Sequence, residues 1–213
     1  MERILIVDDH PMVRDGLCFM VSSGLRGYVP VEASSLNEAM NAIQQDIEIE
    51  LVLLDLDIPG SRGLSGLIEL RRRFPWVPVV IVSASQETGL ARKALSAGAA
   101  GFVSKSSPRE EIVRALTDVL AGGIYAPEGA DDGSHPDEET GQIARRIATL
   151  TPQQHVVLQL IVAGKLNKQI AYDLGVSITT VKAHVSAILS KLHVVSRTQA
   201  AMLASKFHHG GEP

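Results

Sequence analysis

The chain has 213 residues, enough for one large domain or two small ones, and its single cysteine, Cys18, excludes an internal disulfide and fits a reducing compartment. The net charge of −4 hides an asymmetry, because residues 1–145 carry 13 Lys and Arg against 22 Asp and Glu, whereas residues 146–213 carry 7 against 2. An acidic body with a basic tail indicates that only the tail binds nucleic acid, although two solvated surfaces that differ by chance would give the same counts.

The amino-terminal residues lack the features of a secretory signal peptide. No apolar run approaches the roughly 20 residues that a membrane helix needs. We therefore expect a cytoplasmic protein with no membrane partner.

Strand-like and helix-like segments alternate from the start of the chain to about Ala121. The predicted strands are residues 3–7, 29–33, 51–54, 78–83 and 101–103. The predicted amphipathic helices lie near residues 11–21, 36–45, 64–73, 88–96 and 109–121. This alternation predicts a doubly wound α/β domain, residues 1–121, with a five-stranded parallel sheet that is covered by helices on both faces.

The next segment, residues 122–146, is predicted to be a flexible acidic linker. Gly122-Gly123 ends the last helix, and residues 128–139 are rich in Gly, Asp, Glu, Ser and Pro, a composition that cannot bury a core.

Residues 147–213 are predicted to form an all-α domain of four helices. Each helix begins at a capping sequence: Thr151 to Gln154, Asn167, Ser177, and Ser196 to Gln199. A short second helix, a turn at Gly175 and a longer third helix together indicate a helix-turn-helix.

Polar residues follow three of the predicted strands. Asp8-Asp9 follows the first strand, Asp55 the third and Lys105 the fifth. Because ligands collect beyond the carboxyl ends of parallel strands, we expect these residues to meet at one edge of the sheet. Clustered carboxylates suit Mg²⁺, and the chemistry that such a metal most often serves is that of phosphate.

With the metal present, Asp55 is a candidate nucleophile that carries a phosphoryl group itself. Lys105 would balance charge on the phosphate oxygens, and the Ser83 hydroxyl would donate a hydrogen bond to one of them. Each residue also has a simpler interpretation, since Asp9 is placed to cap a helix and a lysine after a strand is usually solvated. The ordered set is what favours the phosphate site.

The amino-terminal domain resembles the receiver domain of two-component response regulators. The resemblance rests on motifs in a fixed order: Asp8-Asp9, Asp55 followed by Pro59-Gly60, Ser83-Ala84, and Phe102 followed by Lys105. It implies that Asp55 is the phosphoacceptor and that Ser83 and Phe102 are the switch pair, with Lys105 contacting the phosphoryl group. It further implies that Asp8, Asp9, Asp55 and the backbone carbonyl of Asp57 hold Mg²⁺.

Two residues after Asp55 depart from the family pattern. Ile58 stands where the family usually has Met, which is a volume-conserving change. Asp57 places an additional acid beside the incoming phosphate, and our hypothesis is that it alters the rate of phosphorylation or dephosphorylation.

The carboxy-terminal domain resembles the LuxR-type helix-turn-helix, and with the receiver this is the arrangement of the NarL/FixJ response regulators. The matching segments are Leu150-Thr151-Pro152, Asn167 to Ala171, Leu174 to Ser177, Thr180 to His184 and Ser196 to Ala200. Gln154 and Val156 stand where the family usually carries glutamates. Ser186 is shorter than the basic residue of several relatives.

The third helix of this domain is the predicted recognition helix. Val181, Val185, Ile188 and Leu192 form its apolar face, which leaves Thr179, Lys182, Ala183 and Ser186 toward the bases of the major groove. Phosphate contacts are predicted for Lys168, Thr180, His184 and Lys191. A solvated basic face is the alternative, above all for Lys191.

These observations predict a transcription factor rather than an enzyme. A sensor histidine kinase would phosphorylate Asp55, and the active protein would bind double-stranded promoter DNA as a homodimer, with the last helix, Ser196 to Phe207, as the dimer contact that the family suggests. The alternative is a haloacid-dehalogenase-like phosphatase that uses Asp55 and Asp57, since Asp55-Leu56-Asp57 after an apolar strand also resembles the DxD nucleophile motif of those enzymes. A third possibility is a DNA-binding protein whose receiver serves only for dimerisation.

Overall fold

The computed structural model describes residues 2–45, 49–85, 89–121, 123–127, 143 and 146–209. Five strands alternate with five helices in the amino-terminal part. The strands are β1 Glu2–Val7, β2 Tyr28–Ala33, β3 Ile49–Leu54, β4 Val79–Ser83 and β5 Gly101–Ser104. The helices are α1 Pro11–Gly24, α2 Leu36–Gln45, α3 Ser65–Arg73, α4 Leu90–Ser96 and α5 Arg109–Leu120.

The five strands form one parallel sheet in the order β2-β1-β3-β4-β5, which confirms the predicted doubly wound fold. The central strands β1 and β3 are neighbours, and Val7 lies opposite Leu54 in the pairing. The residues that follow these two positions, Asp8 and Asp55, therefore leave the sheet side by side at its carboxyl edge.

Each face of the sheet has its own hydrophobic core. Alternate residues of β1 point to opposite faces, so that Leu5 and Val7 join one core and Ile4 and Ile6 the other. Helices α2, α3 and α4 cover the first face, and α1 and α5 cover the second. Burial of each such aliphatic side chain contributes about 1.5–3 kcal/mol, so the sheet is a firm base for the polar groups at its edge.

The carboxy-terminal part is helical, as the sequence predicts. Its helices are α6 Pro152–Val162, α7 Asn167–Leu174, α8 Ile178–Leu192 and α9 Arg197–His209. They enclose a third core, to which Ile143, four residues before the predicted domain start, also belongs. None of the helices in the described part of the chain has the length and apolar character that crossing a bilayer requires.

The caps of these helices agree with the sequence in most details. Thr151 and Gln154 form the predicted capping box, and the Ser177 hydroxyl accepts a hydrogen bond from the Thr180 amide at 3.0 Å. Gly175 adopts the left-handed conformation, φ 64°, that the turn before α8 requires. The prediction for Asn167 was wrong, because Leu166 is the N-cap and the buried Asn167 side chain instead faces the guanidinium of Arg197.

Much of the predicted linker, residues 122–146, lies outside the described residues. Its first described segment, residues 123–127, contacts the sheet. The backbone of Tyr125 pairs with β5, since it donates a hydrogen bond to Ala100 O at 3.1 Å and accepts one from the Phe102 amide at 3.0 Å. Contacts of the amino-terminal domain therefore extend beyond Ala121.

Glu50 lies at the amino-terminal end of β3 and is only 4% exposed. Burial raises the pKa of its carboxyl group to about 7, against the opposing influence of Arg197, Lys182 and Lys168. These three cations belong to the carboxy-terminal helices, whose charge therefore acts on a strand of the amino-terminal sheet.

We expect Glu50→Gln to stabilise the protein above neutral pH. The pKa of Glu50 in the folded state lies above its unfolded value, so its stabilising contribution is complete at low pH and is lost as the pH rises through about 7. The gain from Glu50→Gln should reach about 3 kcal/mol at pH 8 and be small at pH 5. Thermal unfolding midpoints at both pH values measure this, with the exposed Glu110→Gln as the matched control. Equal gains at pH 5 and pH 8 would contradict the expectation.

Candidate functional site

Three carboxylates meet at the carboxyl edge of the sheet, where the sequence places them. Asp8 is fully buried, Asp55 is buried and Asp9 is partly exposed. Together with His10 they offer four ligand atoms, one from each side chain, that all lie within 4.8 Å of one another. His10 joins the group because it directly follows the acidic pair, and the sequence reasoning did not include it.

Lys105 links two of these acids. Its Nζ lies 2.8 Å from Asp55 Oδ2 and 2.7 Å from Asp8 Oδ2, and its own side chain is 16% exposed. Burial by itself would lower the pKa of Lys105, but the contacts with Asp55 and Asp8 outweigh burial, and the pKa is raised above its ordinary value. The ammonium group therefore stays charged and offsets the repulsion between the two carboxylates.

Backbone and arginine contacts fix the acids in place. The Asp8 carboxylate accepts a hydrogen bond from the His10 amide at 2.9 Å, and the Asp55 carboxylate accepts one from the Leu56 amide at 2.8 Å. Arg14 of α1 donates to the backbone carbonyl of Asp8 at 2.8 Å and pairs with Glu32 of β2. Sequence reasoning missed Arg14, whose position in α1 carries no signal of this role.

The site retains oxygen atoms that suit a cation. Asp8 Oδ2 has the Lys105 ion-pair contact but no hydrogen bond of good geometry, and Asp9 Oδ1, 2.8 Å from His10 Nδ1, likewise has none within the described part of the chain. Both atoms are buried. Hard carboxylate oxygens with spare lone pairs are the donor set that Mg²⁺ prefers, so the residues present fit such an ion.

The predicted switch residues lie on the two neighbouring strands. Ser83 ends β4 and is buried, and its hydroxyl accepts a hydrogen bond from the Ser85 amide at 3.1 Å. Phe102 in β5 is also buried, within the core that α4 covers. The backbone amide of Lys105 donates to Ser83 O at 2.8 Å, so the end of β4 is joined directly to the loop that carries the lysine.

Asp57 lies two residues after Asp55 and is exposed. Its side chain is not part of the group of four ligand atoms. Gly60, three residues later, has φ 87°, which supplies the tight turn that the Pro59-Gly60 pair predicts.

Helix α8 is the second helix of a helix-turn-helix. Its apolar face consists of the four predicted residues together with one more, Leu189: Val181, Val185, Ile188, Leu189 and Leu192. The opposite face carries the four residues that the sequence predicts to face DNA bases. In this structure that face is turned toward the amino-terminal domain.

A cavity of about 420 Å³ separates the two domains along this face. One wall is formed by α8, and the other wall by α2 and the segment between α3 and β4. The lining residues are Thr179, Lys182, Ala183 and Ser186 on the first wall and Ile43, Gln44, Phe74 and Trp76 on the second. The Lys182 ammonium lies over the Trp76 ring, 5.3 Å from its centroid, at cation–π distance.

The predicted phosphate contacts surround this face. Thr180 takes part in the cap of α8, while Lys168 and His184 are partly buried. Lys191 donates hydrogen bonds to Thr149 O at 2.9 Å and to Gln154 Oε1 at 2.8 Å, within its own domain. The neutral amide of Gln154 therefore accepts a hydrogen bond from Lys191 at a position where the family usually has glutamate.

Two family models match the chain. Residues 4–117 match the response regulator receiver domain, and residues 148–204 match the bacterial regulatory proteins of the luxR family. The chain therefore belongs to the response regulators that join a receiver domain to a LuxR-type DNA-binding domain, and it is a transcription regulator of this class. Neither model is that of a phosphatase, so the comparisons give the phosphatase alternative no support.

Relatives of similar length support this assignment. The chain is 41% identical over 210 residues to the glycerol metabolism activator of Pseudomonas putida, covering 96% of this chain and 95% of the relative. It is 32% identical to the nitrate/nitrite response regulator protein NarL of Escherichia coli, with 93% of each chain covered.

Solved structures show the same fold. A LuxR family two-component response regulator from Aurantimonas sp. is 35% identical with a TM-score of 0.54, covering 58% of this chain and 87% of that one. RcsB from Salmonella enterica bound to promoter DNA has a TM-score of 0.55 at 21% identity, covering 96% of this chain and 98% of that one, and shows the likeness of fold only.

We expect Lys105→Met to lower the stability of the receiver when Mg²⁺ is removed, because it leaves the buried carboxylates of Asp8 and Asp55 without their cation. Loss of one partner of a buried ion pair costs about 3 kcal/mol. Added MgCl₂ should restore much of this loss, so the rise in the unfolding midpoint with Mg²⁺ should be larger than in the wild type.

Differential scanning calorimetry with EDTA and with MgCl₂ measures both effects. Lys93→Met, at an exposed position of α4, is the control for loss of a lysine. An equal Mg²⁺-dependent rise in wild type and Lys105→Met would show that Lys105 does not share the carboxylates with the metal.

Proposed function

We propose that a sensor histidine kinase phosphorylates Asp55 and that this step converts the protein into a DNA-binding homodimer. The observation that supports the proposal is that one domain carries both the acidic site and a wall facing α8. The buried Asp55 lies among acids and Lys105 at the sheet edge, and the same domain lies across a cavity from the predicted base-contact side of α8.

The proposed transfer uses the Asp55 carboxylate as the nucleophile. An Asp55 oxygen attacks phosphorus as the bond from phosphorus to the histidine nitrogen breaks, and the nitrogen keeps the electron pair. Lys105, already 2.8 Å from Asp55, then pairs with the oxygens of the transferred group. Water has little access to Asp55, since its side chain is 5% exposed, which favours a phosphoryl aspartate of useful lifetime.

The proposed cofactor is Mg²⁺. Asp8, Asp9, Asp55 and the backbone carbonyl of Asp57 are its proposed ligands. Asp8 and Asp9 each have a buried carboxylate oxygen without a hydrogen bond, and a carboxylate oxygen of Asp55 lies within 4.8 Å of theirs. Bound there, the ion would offset the negative charge that gathers when a phosphate approaches three acids. Asp57 adds a further acid at the entrance, where we propose that it changes the rate of phosphoryl transfer or loss.

Ser83 and Phe102 are the proposed switch pair. The Ser83 hydroxyl, at the end of the strand beside β3, accepts a hydrogen bond from the Ser85 amide and would donate its own proton to a phosphoryl oxygen. Phe102 lies in the core beneath α4, so a change at Ser83 and β5 acts on the packing of that helix. Such a change shifts a two-state equilibrium between a closed and an open arrangement of the domains.

In the open state the basic face of α8 becomes available to promoter DNA. Thr179, Lys182, Ala183 and Ser186 are the proposed base contacts. The proposed phosphate contacts are Lys168, Thr180, His184 and Lys191. These four base-contact candidates line the cavity against the receiver, so the proposed closed arrangement would hinder specific binding.

The proposed homodimer would form through the last helix. Ala200, Ala201 and Ala204 of α9 are buried in their own domain, whereas Met202 is 47% exposed, so the contact would use the face that carries Met202. RcsB has the same fold as this chain, and its structure has been solved as dimers bound to DNA. We also propose a cytoplasmic location, where promoter DNA is present.

We expect the wild type to gain one phosphoryl group after incubation with MgCl₂ and acetyl phosphate, and Asp55→Asn to gain none, because the amide is not a nucleophile. Intact mass spectrometry measures the adduct. Asp57→Asn in the same assay should gain the group with altered rates of formation or loss. No adduct on wild type, together with sustained release of inorganic phosphate, would contradict the proposal and favour phosphatase turnover.

We expect Lys182→Ala and Lys168→Ala to weaken DNA binding in different ways. Sequences are first selected from a random duplex pool with the phosphorylated protein, and affinities for a selected and a scrambled duplex are compared by fluorescence anisotropy. Loss of a base contact at Lys182 should cost about 1–3 kcal/mol on the selected duplex only. Loss of a phosphate contact at Lys168 should weaken binding to the selected and the scrambled duplex alike. The slope of log affinity against log salt concentration should become shallower by about 0.9. Retention of full sequence preference by Lys182→Ala would refute its base-reading role.

A further inference from the structure

The turn between α8 and α9, residues 193–196, lies against the receiver at a point separate from the cavity over the recognition helix. We call it the α8–α9 turn. Val195 in this turn is the contact residue. Its backbone carbonyl accepts two hydrogen bonds from Arg71, one from Nε at 2.8 Å and one from Nη2.

Arg71 lies near the end of α3 and is 5% exposed, whereas its neighbours Arg72 and Arg73 are exposed and pair with Glu69. Within the described part of the chain, Arg71 donates hydrogen bonds to three backbone carbonyls, those of Val195, Val77 and Pro75. Burial lowers the pKa of Arg71 to about 10. The receiver thus holds a buried cation whose acceptors include one from the other domain.

The end of α4 contacts the same turn. Gln199 in the first turn of α9 donates to Leu95 O of α4 at 3.4 Å, while its side-chain oxygen accepts a hydrogen bond from the Val195 amide at 3.0 Å. The Val195 side chain lies so close to Gly98 that a Cβ atom added there would collide with it. Gly98 is the residue that leaves room for the turn, and it also has φ 95°.

We propose that the α8–α9 turn is a latch, which the receiver holds through Arg71 of α3 and through Leu95 and Gly98 at the end of α4, and that release of this latch uncovers the recognition helix. The proposal rests on the proposed function, because it identifies where the phosphorylated receiver would lose its hold on the DNA-binding domain.

The position of the latch explains how the two sites communicate. Leu95 and Gly98 immediately precede β5, the strand that carries Phe102, and Phe102 shares a core with Leu95. A shift of β5 is therefore transmitted through a few residues to the Val195 contact. The hydrogen bonds of Arg71 to Val195 favour the closed state, and the cost of keeping the guanidinium out of water offsets part of that gain.

The test compares Arg71→Met with Arg72→Met, which removes the same charge from the same helix at an exposed site. Binding of the unphosphorylated full chain to a fluorescein-labelled 40-base-pair random duplex is followed by anisotropy at low salt. Arg71→Met should bind about tenfold more tightly than wild type and give a larger radius of gyration in small-angle X-ray scattering. Arg72→Met should stay within twofold of wild type.

Arg71 also donates to two carbonyls of its own domain, so a second variant leaves the receiver unchanged. Gln199→Met removes the contact with Leu95 O and should raise affinity about threefold. If Arg71→Met and Gln199→Met both bind DNA no more tightly than Arg72→Met, the latch does not exist. If they do bind more tightly but phosphorylated wild type does not, the latch stands and the proposed control by phosphorylation fails.

Discussion

The shared position of Lys105 between two buried carboxylates is the interaction on which the rest of the site depends. Without a cation, Asp8 and Asp55 would repel each other at the ends of adjacent central strands. The parallel sheet makes the encounter unavoidable, because β1 and β3 end together and β5 delivers the lysine to the same edge. Lys105 relieves the repulsion between these two acids, so we expect a ligand that changes the local charge to weaken its ion pairs. Under the proposed function, this is how a phosphoryl group on Asp55 would act beyond its own site.

One face of α8 would serve two mutually exclusive contacts under the proposed function. Thr179, Lys182, Ala183 and Ser186 line the cavity against the receiver in this structure, and the same residues are the proposed base contacts. A competition of this kind is reciprocal in free energy, so DNA that favours the open arrangement also favours the form of the receiver that is compatible with it. Control then requires no change within the DNA-binding domain itself. It requires only that the receiver bind that face and the α8–α9 turn less well.

The sequence predicted the parts of the molecule that follow from local patterns. Continuous apolar runs such as Val79–Val82 predicted the buried strands, and the residues after them predicted where the acids and Lys105 meet. The contacts between the two domains could not be predicted from the sequence. Glu50 extends β3 although burial disfavours its charged form, and the cations of the other domain offset part of that cost. Arg71 looks like its exposed neighbours in sequence, and Asn167 resembles an N-cap until Arg197 is placed beside it. Such contacts depend on tertiary packing, which no periodicity encodes.

Trp76 gives the molecule a further property. It is the single tryptophan of the chain, and its ring lies under Lys182 while its buried indole nitrogen has no hydrogen-bond partner within the described part of the chain. Separation of the domains would hydrate that nitrogen and remove the ammonium group from the ring, and both changes alter indole emission. The protein therefore carries its own optical probe at the surface where the proposed closed and open states would differ. Its emission would report the proposed opening in the unlabelled wild-type chain.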